Sequence, residues 1–183
     1  GWGWDQGGWN QGAQGSSNRD LLEEAQTLVG DWNGNVQLSE LASDGNSRNN
    51  YQFEANMIFY QDKNNRNSLS GSGIEIDYAT DGSDDQQTLK FSWYIDNNTG
   101  DIYVTYDTSK SQYVITFGNS NIQSYLDSKA FHGTMKGVNN DEYIDFDFSR
   151  YTYAKGYTPT FTRAAQTRAM GVVVENKIVE GRR

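Results

Sequence analysis

The sequence predicts an all-β fold, an eight-stranded antiparallel up-and-down barrel preceded by one short helix. Three observations carry this. From Gly30 to Phe148 apolar and polar residues alternate with a period of two, as on strands that bury one face. The segments between the alternating runs are short and rich in Asp, Asn and Gly, which suits tight turns between antiparallel neighbours. No helix-length stretch separates the runs, so a parallel sheet is excluded. Eight strands joined in sequence bury their apolar faces by closing on themselves, which also removes exposed edges. A two-sheet sandwich is the competing arrangement.

Residues 1-18 hold three of the five tryptophans in a Gly-, Gln- and Asn-rich run without period, which reads as a flexible tether. Ser17-Asn18-Arg19-Asp20 has the form of a helix start, and Leu21, Leu22, Ala25, Leu28 and Val29 follow at helical spacing until Gly30 stops them. A helix this short is stable only when packed on something. The strands follow as Trp32 to Leu38, Tyr51 to Phe59, Ile74 to Tyr78, Leu89 to Ile95, Ile102 to Tyr106, Tyr113 to Phe117, Phe131 to Met135 and Ile144 to Phe148. Gly71-Ser72-Gly73 marks a bulge or sharp bend at the third. Turns are read at Ser43-Asp44-Gly45-Asn46, Lys63-Asn64-Asn65, Thr80-Asp81-Gly82-Ser83, Asn97-Asn98-Thr99-Gly100 and Val138-Asn139-Asn140-Asp141, with a break near Asn119 to Asp127. The barrel domain is thus expected over 19-153, and a tail over 154-183 adds one further strand at Gly171 to Val174 and Ile178-Val179.

The net charge of −9 is unevenly placed: 22 acidic and 9 basic residues lie in 1-153, whereas the tail has 6 basic and 2 acidic. An acidic body argues against nucleic acid as a partner. With no Cys and one His, the chain has no disulfide, thiol nucleophile, iron–sulfur cluster or His-rich metal site. No apolar run reaches the length of a membrane helix. The first residue is Gly1, so a leader is expected to lie outside this sequence.

Leu28-Val29-Gly30-Asp31-Trp32, at the end of a short helix and the start of the first strand, resembles the Gly-X-Trp signature of the calycin superfamily, which includes the lipocalins. The resemblance spans roughly residues 20-151 and implies a lipocalin-like barrel, with Arg150 at the end of the last strand packing across Trp32. Gly30, Trp32 and Arg150 are then structural closure residues. The middle Thr-Asp-Tyr motif of true lipocalins is missing, and Gly30-Asp31-Trp32-Asn33 is also similar to the first strand of avidin-like barrels, without their biotin contacts. The Gly-, Tyr- and Asn-rich style with a low-complexity start resembles lipocalin-like envelope proteins of Bacteroides-type bacteria. That implies a secreted or cell-envelope setting, periplasm or outer-membrane surface, with membrane contact only through a lipid anchor ahead of the chain.

Several constellations invite chemistry. Asp145 and Asp147 share one face of the last strand, with Glu142 nearby, but it is the face opposite Ile144, Phe146 and Phe148 and therefore the solvent side. Asp77, Asp81, Asp84 and Asp85, and Asp96, Asn98 and Asp101, lie on hairpins without the spacing of a calcium loop. His132 has polar parity and no nucleophile elbow accompanies it. No catalytic residue, metal or cofactor is assigned. The interior set is the candidate binding surface: Phe53, Met57, Phe59, Phe91, Trp93, Tyr106, Tyr113, Phe131 and Phe146, together with Ile76, Val104 and Phe117. Gly34, Ala55 and Gly133 supply room on the same parity. The expected function is non-enzymatic binding of a small apolar or amphipathic molecule in or at the mouth of the barrel. The alternative is an interaction or structural module whose filled barrel uses the Trp-rich arm and basic tail to contact a protein or glycan.

Overall fold

The computed structural model describes residues 18-62, 65, 68-117 and 124-151. The tether over 1-17 with its Ser17 cap, the Lys63-Asn64 part of one turn, the break over 119-123 and the tail over 154-183 with its candidate strand lie outside the described residues.

Helix α1, Asn18–Leu28, buries Leu21, Glu24, Ala25 and Leu28, the i, i+3, i+4, i+7 stripe of an amphipathic helix. One member of that stripe is a carboxylic acid. Nine strands follow: β1 Gly30–Leu41, β2 Arg48–Gln61, β3 Ser70–Tyr78, β4 Gln86–Ile95, β5 Ile102–Tyr106, β6 Gln112–Ile115, β7 Tyr125–Leu126, β8 Ala130–Gly137 and β9 Tyr143–Arg150. Each of β1 to β5 pairs antiparallel with the next, β9 pairs with both β1 and β8, and β6 closes the circle onto β8. Eight strands therefore form a closed antiparallel barrel, and the two-residue β7 adds only a short edge to β8. Closure excludes the sandwich.

The turns β1–β2, β3–β4, β5–β6 and β8–β9 gather at one end, the mouth, while α1 enters β1 at the other end, the base. Inward positions of β1, β2, β4, β5, β6, β8 and β9 follow the alternation read from sequence, and their side chains form one hydrophobic cluster with Leu21, Ala25 and Leu28. Strand β3 does not follow it. Its register sets Gly73 between Phe59 and Phe91, Glu75 between Met57 and Leu89, and Asp77 between Ala55 and Gln87, so these residues face inward. Ile74, Ile76 and Tyr78, read from sequence as the buried face, point outward.

Ring size explains the inversion. A Cβ on Gly73 would overlap the Phe91 ring, and one on Gly71 would overlap the Tyr60 carbonyl. Only a bare backbone fits there, and the Gly-Ser-Gly stretch pairs residue by residue with both neighbours instead of bulging. Gly73→Ala is expected to lower stability by about 1–3 kcal/mol through overpacking, and adding Phe91→Leu to recover part of that loss. Urea midpoints of the two variants check this.

Gly34 and Gly133 also mark close approach rather than room: a Cβ on the first would meet the Asp147 carbonyl, and on the second the Ser124 side chain. The base is tied by Arg150. Its guanidinium carbon lies 4.1 Å from the centre of the Trp32 ring. Its nitrogens donate to the carbonyls of Thr27 at 2.6 Å, Val29 at 2.8 Å and Ser128 at 3.0 Å. Trp32 Nε1 donates to Leu28 O at 2.9 Å. Gly30, at φ 134°, passes beneath the guanidinium, where a side chain would collide with it.

Candidate functional site

All nine residues proposed from sequence as ligand contacts lie on the inner wall and are at most 4% exposed. They sort into two regions. Toward the base the rings touch one another. Phe59 meets Phe91 at 5.1 Å, Trp93 at 6.2 Å and Phe131 at 6.2 Å between centroids. Phe131 also meets Trp32 at 5.5 Å and Phe146 at 4.8 Å. Most of these contacts are edge-on, the favoured geometry for packed rings. Trp93 Nε1 donates to the Tyr60 and Ser72 carbonyls, which fixes the indole in the wall.

Toward the mouth the inner wall becomes polar and acidic. Tyr106, the last residue of β5, donates its hydroxyl to Glu75 Oε1. Tyr113, at the start of β6, donates to Glu142 Oε1 at 2.7 Å, just ahead of β9. Gln87 Nε2 donates to Asp77 Oδ2 at 2.9 Å, one pair from the β3–β4 turn. The two tyrosine rings meet at 5.8 Å. Glu75, Asp77, Gln87 and Glu142 are all buried, whereas Arg150, which shares the inward parity, lies at the base over Trp32. Tyr106 and Tyr113 belonged to the sequence-derived set; the three acids and the glutamine did not. The signal that finds Glu75 and Asp77 is their shared parity with Gly71 and Gly73, which stand opposite Trp93 and Phe91 in β4.

Of the other sequence-derived constellations, Asp77 and Glu142 face the wall, and the members named next lie outside it. Asp145 and Asp147 are exposed, and Thr134 donates to Asp145 at 2.6 Å. His132 stacks on Tyr125 at 5.4 Å. Asp81 accepts from Ser83 N, and Asp96 from Asn98 N and Thr99 N, so these acids hold their own turns. Among the described residues no group of three or more His, Asp or Glu side chains is arranged to hold a metal ion.

Fold and site together define a closed eight-stranded antiparallel barrel with a helix at its base and an acidic, tyrosine-lined mouth. No protein-family model matches the chain, and no curated protein does. Among solved structures the chain is similar to a redesigned beta barrel, at 15% identity and a TM-score of 0.41, over 70% of this chain and 96% of that one.

Proposed function

We propose that the chain is a non-enzymatic binding module that takes an amphipathic molecule at the barrel mouth, with a cationic or hydrogen-bond-donating head toward Glu75, Asp77 and Glu142. The observation that carries this is the mouth end of the inner wall: three buried carboxyl groups, two of them accepting from tyrosine hydroxyls and one from Gln87. Buried carboxylates are held by donors and by positive charge, so a head of that chemistry complements the wall. The apolar part of the ligand would lie against Phe53, Met57 and the Tyr106–Tyr113 pair.

The same reading makes the chain a calycin-like barrel, supported by the Arg150–Trp32 closure. It also assigns a secreted or envelope-anchored setting, supported by the style of its first residues. Dodecylamine and dodecanoate, which share a tail and differ in the sign of the head, test the site by calorimetry. The amine is expected to bind at least about tenfold more tightly, and Glu75→Gln or Asp77→Asn to weaken it by about tenfold. Equal affinity for the two would overturn the reading. A second reading, a filled barrel that contacts a protein or glycan from outside, is favoured by the ring packing toward the base, and it predicts that neither amphiphile binds.

A further inference from the structure

The outer face of the wall over β8, β9, β1, β2 and β3 carries a continuous hollow. Three open grooves lie side by side on it, of ≈ 420, ≈ 560 and ≈ 400 Å³. The first and second share Asp145 and Asp147, and the second and third share Asn35 and Glu54. Strand register explains the continuity. His132, Asp147, Asn35, Glu54 and Tyr78 stand opposite one another in a row across the five strands, and Thr134, Asp145, Gln37 and Gln52 form a second row beside it. At the usual strand spacing and rise the first row is about 19 Å long, and the two rows are about 7 Å apart.

The side chains in these rows are uncommitted. Asn35, Gln37, Gln52 and Glu54 are exposed, and their side chains hydrogen-bond to nothing else among the described residues. Elsewhere comparable amides are tied: Asn56 donates to Asp31 and to Trp32 O, and Gln112 to Thr105. A free amide offers donors and an acceptor at once, as a hydroxyl does, so a line of amides matches a line of hydroxyls. The described lining has no Lys or Arg and three acids, Glu54, Asp145 and Asp147, which repel phosphate, sulfate and carboxylate groups. The five strands are paired on both sides, so no peptide can add to them as a further strand, and recognition falls to side chains. Rings stand at both ends, Tyr78 and Tyr151 at one and His132, stacked on Tyr125, at the other. Such rings, apolar on their faces and polar at one tip, suit the C–H faces of sugars.

We infer that this outer groove binds a linear, neutral oligosaccharide, which lies along the row from Tyr78 to His132 and exchanges hydrogen bonds with Asn35, Gln37, Gln52 and Glu54. The inference takes up the glycan contact of the second reading and rests on it. It does not involve the mouth acids, whose side chains lie on the inner face of the wall.

Hexasaccharides of β-1,4-linked glucose, xylose and mannose and of α-1,4-linked glucose are the probes, each added to isotopically labelled full chain. At least one is expected to shift the side-chain amide signals of Asn35, Gln37 and Gln52 and to leave that of Gln87, held by Asp77 on the inner face, in place. The matching disaccharide spans only part of the row and is expected to bind at least about tenfold more weakly. Asn35→Ala and Gln52→Ala, both at exposed positions, are each expected to weaken the hexasaccharide by about three- to tenfold in calorimetry, with the rest of the spectrum still that of the folded chain. Absence of these amide shifts with every probe would overturn the inference. Heat of binding without the shifts would also overturn it, and would leave the glycan contact of the second reading to another surface. Hexagalacturonate that binds as tightly as the neutral sugar overturns the neutral class, and pentalysine that shifts these amides where no sugar does makes the occupant a cationic peptide instead.

Discussion

Trp32→Ala is expected to remove about 3–5 kcal/mol of stability and to lower the melting temperature by roughly 10–15 °C. The indole is fully buried at the junction of helix and barrel, and three interactions converge on it. Its ring packs edge-on to Phe131, its Nε1 donates to Leu28 O, and the Arg150 guanidinium covers its face. Alanine leaves a ring-sized void, strands the Leu28 carbonyl, and removes the surface on which Arg150 lies. Because Arg150 also holds the carbonyls of Thr27 and Val29, α1 loosens from the base together with the indole. Arg150→Met keeps an apolar stem over the ring but loses the donors, at a cost of about 2–4 kcal/mol. The two substitutions share partners, so their effects fall short of additive by about 1 kcal/mol or more. Thermal and urea unfolding of the two single variants and the double variant measure the coupling. Additive effects would mean that Trp32 and Arg150 act separately.

The contrast between β9 and β3 shows what the sequence carries and what it does not. In β9 from Ile144 to Ser149 every apolar residue faces in and every polar one out, and the register with β1 and β8 keeps that alternation. Alternation alone therefore fixes which way Asp145 and Asp147 point. In β3 both faces hold a mixture, isoleucines on one and glycines with acids on the other. Only long-range register, Gly73 opposite Phe59 and Phe91, decides between them. The mouth acids were missed for that reason: a charged residue on an alternating strand is read as solvent-facing unless the tyrosines that hold it are known. Tyr106 and Tyr113 lie 31 and 29 residues from Glu75 and Glu142, a distance over which sequence pattern shows no pairing. The glycines misled in the opposite direction. Gly34 and Gly133 looked like space for a ligand, but they admit a neighbouring carbonyl and a serine.

Glu24→Leu is expected to stabilise the protein at pH 7 by about 1–3 kcal/mol, although it removes a good helix former from α1. Glu24 occupies the buried stripe between Leu21 and Leu28, and neither carboxyl oxygen has a hydrogen-bond partner among the described residues. Burial, and then the nearby Asp101 carboxylate, hold its pKa well above the usual glutamate range. A carboxyl raised in the folded state binds its proton more tightly there than in the unfolded chain. Its contribution to stability is therefore full below the unfolded pKa and lost as pH rises through the folded one. Asp31, raised from 3.8 to about 6, acts with the same sign. Between pH 4 and 7 the native protein should thus lose stability through these two groups, and Glu24→Leu should flatten the part due to Glu24. Asp31→Asn should flatten the remainder, most of it between pH 4 and 6. Urea midpoints taken across this range for the native chain and both variants resolve the two contributions. A Glu24→Leu chain less stable than the native one at pH 7, with the slope unchanged, would mean that the carboxyl is satisfied in the folded protein and that α1 seats on the barrel in another way.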